Sequence, residues 1–288
     1  MTIKAWRARV TATCSKRRSS SASAPAAFWV TLLDSHAKLK NHKEVLAISE
    51  QWYQWAADNF NAGYFYANSL SLAKRWRGDP RTRELVRALM QRSAPQALVY
   101  GSTTGVYGDR QGRWTSESTP CSPLTPRAWR RVDAEASVHG YGRMTGARTT
   151  VLRIPGIYAP DREGGTPRER LLRGTPVLRR EDDVHTNHIH ADDLAMACLL
   201  ALWRGRPQRN INVVDDSDLM MGDYFDLAAD LYGLNRPPRV ARDAAREQLP
   251  LMLLSFMSES RRLRNDRMRK ELRLRLRYPT VREGLASG

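Results

Sequence analysis

An apolar run, Leu98-Val-Tyr-Gly-Ser-Thr-Thr-Gly-Val-Tyr-Gly-Asp109, ends in three hydroxyl side chains, Ser102, Thr103 and Thr104, set among Gly101, Gly105 and Gly108. Hydroxyls at the end of a buried strand can orient a substrate, because side chains beyond the carboxyl ends of parallel strands meet a crevice on a rigid scaffold. Metal chemistry is the other possibility to weigh. His185, His188 and His190 stand near Asp182, Asp183, Asp192 and Asp193, and on alternating strand positions His188 and His190 share a face. Cys14, Cys121 and Cys198 lie far apart with no metal-ligand spacing, which suggests a reducing compartment and no disulfide framework. Cytoplasm is the simplest expectation.

The elements that position these residues read clearly after Gly78. Asp79-Pro80 is a helix start, opening a helix through Leu85, Val86, Leu89 and Met90, and Ala97 to Tyr100 is a buried strand. Thr125-Pro126 repeats the start signal for a helix from Arg127 to His139, which Gly140 and Gly142 are expected to stop. Thr149 to Ile154 is a second buried strand. His188 to His190 feeds the apolar helix Asp193 to Trp203, Asn210 to Val214 is a further strand, and Gly222 to Tyr232 is a helix closed by Gly233. Such alternation implies an α/β fold, a mainly parallel Rossmann-like sheet with helices on both faces. The arginine-rich run from Arg261 to Lys270 reads as the solvated face of a helix burying Leu263, Met268 and Leu272. Pro250 to Met257 is then its packing partner, or else lines a homodimer interface or a substrate pocket.

Residues 1 to 77 read differently. They hold one glycine, Gly63, and five of the eight tryptophans, Trp6, Trp29, Trp52, Trp55 and Trp76. The opening is basic and serine-rich in the manner of a transit peptide, but its apolar part, Ala26 to Leu33, is short and lacks a clean cleavage site. Two regions are therefore expected, 1–77 and 78–286. At 288 residues the chain can build its core without staples, and its net charge of +17 suits anionic small ligands such as pyrophosphates. Nucleic acid is disfavoured as a partner, because the arginines are dispersed and no binding motif or aromatic-interleaved stripe accompanies them. No run reaches the about 18 apolar residues of a membrane span.

The strand-end pattern S-T-T-G-V-Y-G resembles the active-site strand of extended short-chain dehydrogenases/reductases, the branch of nucleotide-sugar epimerases and dehydratases. Four further stretches agree in order: Leu152-Arg-Ile-Pro-Gly-Ile-Tyr-Ala-Pro160, Ile189-His-Ala-Asp-Asp-Leu-Ala195, Asn212-Val-Val-Asp-Asp216 and Tyr278-Pro-Thr-Val-Arg-Glu-Gly-Leu285. The resemblance implies a cofactor, NAD or NADP, and a small-molecule nucleotide-sugar substrate, with a small C-terminal substrate-side subdomain. It implies that Thr103 orients substrate, and that Ser102 and Pro155 border the cofactor. It also explains His190, Asp192 and Asp193 as strand-end and helix-cap residues.

Two departures stand out. Where the family carries Tyr and Lys in Y-x-x-x-K, this chain has Arg127 and Arg131, and arginine cannot act as a general acid or base near neutrality. The pair either binds a phosphate or carboxylate, or forms a solvated helix face with Arg131 supported by Glu135 at i+4. Tyr107, Tyr141 and Tyr158 are the surrogate phenols to examine. The glycine turn that cradles a pyrophosphate is also missing before Gly78. Residues 1–77 are thus a replacement module, a diverged first Rossmann half, or a stretch read in the wrong frame or from the wrong start, the last being favoured. The two functional expectations are an epimerase, dehydratase or oxidoreductase-like enzyme and a non-catalytic nucleotide-sugar binder of the same fold.

Overall fold

The structure, a computed structural model, describes residues 80–287 apart from Glu163. The readings made on residues 1–77, including the missing glycine turn, lie outside the described residues. In chain order the first elements are α1 (Pro80–Met90), β1 (Ala97–Thr103), a 3-10 turn (Thr104–Tyr107), β2 (Trp114–Thr115), α2 (Pro126–Thr145), β3 (Arg148–Ile154), β4 (Gly156–Tyr158), α3 (Arg168–Leu172), β5 (Val177–Leu178), β6 (His185–Thr186) and β7 (His188–His190). They are followed by α4 (Ala191–Arg204), β8 (Arg209–Asn212), β9 (Leu219–Met220), α5 (Met221–Tyr232), β10 (Arg239–Val240), α6 (Arg242–Gln248), α7 (Leu251–Phe256), β11 (Arg262–Leu263) and α8 (Val281–Leu285).

The central sheet is parallel in the order β1-β3-β8, with Thr103 opposite Ile154 and Leu152 opposite Ile211. Alternation along the strands separates the two faces. Ser102 and Arg153 reach Glu135 of α2, whereas Leu152 and Ile211 pack with Ala197 and Ala201 of α4. Helices therefore cover both faces, the α/β architecture expected from the alternating pattern. A second cluster, built on Tyr158, Leu171, Val177, Tyr224, Phe225 and Leu285, forms the core of the smaller C-terminal part.

Helix α2 starts where the sequence says. Thr125 is extended, its hydroxyl accepts from the Ala128 amide at 3.2 Å, and Pro126 takes the first helical position. Its end corrects the expectation: Gly140 and Gly142 lie inside the helix, which closes at Gly146 in the left-handed region with φ 77°. Gly142 serves packing. A Cβ there would stand 2.7 Å from Thr149 and 2.5 Å from the Gln208 amide, so the missing side chain lets α2 lie against β3.

The arginine-rich run from Arg261 is also corrected. It is not one helix but a short strand, β11, pairing with β2 in parallel, followed by a π-helical turn from Met268 to Leu272. Leu263, Met268 and Leu272 are buried all the same. The segment ending at Met257 is not their packing partner. Met257 joins Leu178, Ala245 and Leu249, while Met268 and Leu272 belong to the central core.

Candidate functional site

The site begins where β1 runs out. Thr103 is half-buried, and its hydroxyl accepts from the Gly105 amide at 3.3 Å, capping the 3-10 turn that carries Val106 and Tyr107. Because Thr103 faces Ile154 in the register, Thr103 and Pro155 mark adjoining strand ends, and the first turn of α2 approaches at Ala128, near Gly105. One residue back, Ser102 is buried and donates to Glu135 Oε1 at 2.6 Å.

Glu135 is the centre of a buried polar network. It takes one edge of the Arg153 guanidinium, accepting from Nε at 3.2 Å and from Nη2 at 2.7 Å, with both side chains almost fully removed from water. Burial disfavours the Arg153 charge, but the hydrogen bonds and charge of Glu135 outweigh it and raise the pKa above its ordinary value. Arg153 also lies over the Tyr107 ring at 4.7 Å and reaches Cys121 Sγ at 3.2 Å. The Tyr107 hydroxyl donates to Asn212 Oδ1 at 2.7 Å, and the Asn212 amide donates to Glu117. One network thus ties β1, α2, β3, the 3-10 turn and β8 together directly beneath the strand ends. Sequence reasoning assigned none of this, although a charge inside Val151-Leu-Arg-Ile154 and a carboxylate between Ala134 and Ala136 are each a signal, because a buried charge must find a partner.

Arg131 does not take the i+4 support foreseen from Glu135. Glu135 is committed to Arg153, and Arg131 instead donates from Nη1 to the Tyr100 hydroxyl at 2.7 Å, with the guanidinium 5.8 Å from that ring's centre. Arg127 is exposed and makes no ion pair with a described residue. Partial burial first, then the like charges of Arg131 and Arg130, lower its pKa, and it stays a cation at ordinary pH. The three surrogate phenols are buried. Burial pushes the Tyr107 hydroxyl up to about 12 and raises that of Tyr158, which donates to the Thr280 carbonyl, while the Tyr141 hydroxyl has no partner among the described residues.

The histidines fall into separate tasks. His190 caps α4, its Nδ1 accepting from the Asp192 amide at 3.2 Å, and Asp193 accepts from the Arg277 and Tyr278 amides at 2.8 and 2.9 Å. His188 stacks on Tyr224 with centroids 4.1 Å apart. No group of three or more His, Cys, Asp or Glu among the described residues could hold a metal ion. A polar cavity of about 300 Å³ opens where Asp109 meets Glu181 to Val184, Arg242 and Ser260, and Thr103, Arg127, Arg131 and Pro155 are not among its walls.

A dinucleotide needs a glycine turn whose amides and helix N-terminus face the pyrophosphate. The described residues supply none. Gly108, at the end of the 3-10 turn, is needed for packing, since a Cβ there would fall 2.0 Å from the Ser122 carbonyl oxygen. The turn after β1 is a 3-10 turn capped by Thr103, not a phosphate cradle.

A parallel sheet with helices on both faces and a hydroxyl cluster at the end of β1 belongs to the α/β class, in which ligands meet the carboxyl ends of the strands. Residues 80–213 match the NAD dependent epimerase/dehydratase family. A functionally unknown conserved protein from Silicibacter pomeroyi DSS shares 36% identity over 73% of this chain and 72% of its own, with a TM-score of 0.64. The chain belongs to the NAD dependent epimerase/dehydratase family. MoeE5, solved in complex with UDP-glucose and NAD, superposes with a TM-score of 0.58 at 24% identity over 72% of this chain and 68% of its own, a likeness of fold. A curated relative, the uncharacterized UDP-glucose epimerase YtcB of Bacillus subtilis (strain 168), is 33% identical over 78 residues, which span 27% of this chain and 24% of that protein. No helix among the described residues is long and apolar enough to cross a membrane.

Proposed function

We propose that this protein handles a nucleotide sugar at the β1 strand end, with NAD or NADP as the associated cofactor, as an epimerase/dehydratase-like member of its family. The observation that carries the reading is the half-buried Thr103 hydroxyl at the open end of β1, beside Pro155 at the end of β3 and the first turn of α2. In this reading Thr103 orients a sugar hydroxyl or carbonyl. Arg127, a cation without an ion-pair partner among the described residues, draws the anionic part of the substrate. Pro155 borders the cofactor, and Ser102 holds the strand end through Glu135. The likeness to YtcB, an uncharacterized UDP-glucose epimerase, and the UDP-glucose and NAD bound to MoeE5 support the substrate class.

Proton transfer is the step for which the family's Tyr and Lys are replaced. The phenol hydrogen-bonded to a cation here is Tyr100, whose partner Arg131 occupies the lysine position. That contact makes Tyr100 the candidate acid or base if the protein turns substrate over. The test is turnover of UDP-glucose with NAD, followed by nucleotide fluorescence and product analysis. Turnover lost in Tyr100→Phe supports this assignment, and turnover unchanged in that variant refutes it.

A second reading, a non-catalytic nucleotide-sugar binder, is favoured by the burial of Tyr107, Tyr141 and Tyr158 and by the commitment of Arg131 to a strand residue. It predicts ligand-induced thermal stabilisation without turnover.

A further inference from the structure

Arg170 sits in α3, with its guanidinium 4.2 Å from the centre of the Phe225 ring of α5. Its Nε and Nη2 are both buried, and neither has a hydrogen-bond partner among the described residues. These two nitrogens form the edge of the guanidinium that donates two parallel hydrogen bonds to one carboxylate or phosphate. A buried donor left unpaired costs roughly 1–3 kcal/mol, more when charged, so such an edge is far more favourable with an oxyanion on it. Burial lowers the Arg170 pKa to about 10, which still leaves it cationic at neutral pH.

The surroundings favour an anion further. Tyr224, next to Phe225 on α5, stacks on His188, and His188 pairs in the β4–β7 register with Gly156, the residue after Pro155. Arg170 therefore belongs to a layer that begins at the strand ends. His188 Nδ1 and Asp215 Oδ2, also beside this layer, are buried without partners. Burial holds His188 neutral and raises Asp215 to about 8, so neither places a full negative charge there at neutral pH. The closest acid in sequence, Glu169, pairs instead with Arg173 at 2.6 Å.

We propose that the Nε–Nη2 edge of Arg170, covered by protein atoms in this structure, is an oxyanion seat that binds one carboxylate or phosphate group of the ligand through two parallel hydrogen bonds once its cover moves aside. The proposal deepens the nucleotide-sugar reading, on which it rests for the ligand's identity. The seat itself is testable without that reading. In thermal denaturation at fixed ionic strength, inorganic phosphate or glucuronate should stabilise the wild-type chain beyond chloride. In Arg170→Met the half-saturating concentration should rise at least tenfold, while the melting temperature in chloride stays equal or rises, because an unpaired buried cation has been removed. Arg170→Lys, which keeps the charge but not the fork, should fold and bind weakly. It carries the test alone if the Met variant fails to fold.

Equal stabilisation of wild type and variants, or no response of the wild type to either oxyanion, would each overturn the seat. Titrations with UDP-glucose and UDP-glucuronic acid then separate the sources. Weakening of both ligands assigns the seat to a phosphate, and weakening of UDP-glucuronic acid alone assigns it to a carboxylate. Nucleotide-sugar binding that ignores Arg170 removes the seat and leaves the reading intact. An Arg170-dependent oxyanion response without nucleotide-sugar binding does the reverse.

Discussion

At the scale of single residues, the strongest local constraint is the pairing of Glu135 with Arg153. Removing one partner of a buried pair leaves the other charged and unsolvated, a loss of about 3–5 kcal/mol. Glu135→Ala should therefore lower stability by that order in urea denaturation. The double variant Glu135→Met with Arg153→Met should recover much of it, and a double variant no better than the single one would show that the pair does more than satisfy itself. The same network explains what was and was not legible here. Thr103 and its neighbours stood out because hydroxyls and glycines interrupt an apolar run. Arg131 did not reveal its partner, because Tyr100 lies on another element 31 positions away and only the β1–α2 packing brings them together.

At the scale of elements, Gly233 was read correctly as the end of a helix, whereas Gly140 and Gly142 were read as a stop that in fact falls at Gly146. Gly146 and Gly233 close α2 and α5 with φ of 77° and 62°, a conformation glycine adopts at no steric cost. Gly142 looks identical in sequence but answers to β3, a neighbour that local reasoning cannot see. Gly140→Ala meets no neighbour closer than 3.9 Å and should stabilise by about 0.5–1 kcal/mol through helix propensity. Gly142→Ala should destabilise by about 1–3 kcal/mol, because Thr149 must yield. Thermal melts of the two variants moving in the same direction would contradict this contrast.

The ends of β7 and β8 carry an opposed pair of titrations. Asp215, raised by burial to about 8, is protonated when folded and ionised when unfolded at neutral pH. Its contribution is fully present below the ordinary carboxyl range and is lost as pH climbs towards 8. His188 is lowered by burial to about 3, so its contribution is present above the ordinary imidazole value and is lost as pH falls towards 3. Asp215→Asn should therefore be more stable than wild type at pH 8, by on the order of 1–3 kcal/mol, and should gain little at pH 4. A gain of equal size at both pH values would refute the assignment.

Across the described residues, a parallel sheet with helices on both faces followed from the alternation of apolar strands and capped helices, a signal that survives without knowledge of contacts, whereas the order β1-β3-β8 came only from the structure. The arginine-rich segment after Met257 was misread because its apolar spacing suits a helix, whereas pairing with β2 imposes a short strand on Arg262 and Leu263. The family follows from the matched residues, but the site chemistry rests on side chains that the family's Tyr and Lys no longer supply. Thr103 therefore bears the weight. Thr103→Val keeps shape and removes the hydroxyl, and it should cost roughly 1 kcal/mol of stability through the lost turn cap. The decisive measurement is calorimetric titration of UDP-glucose, with and without NAD, onto the wild-type chain and Thr103→Val. Binding by the wild type that weakens about tenfold or more in the folded variant is the predicted result. Equal affinity in the two proteins, or no binding to the wild type, would contradict a nucleotide-sugar site at the end of β1.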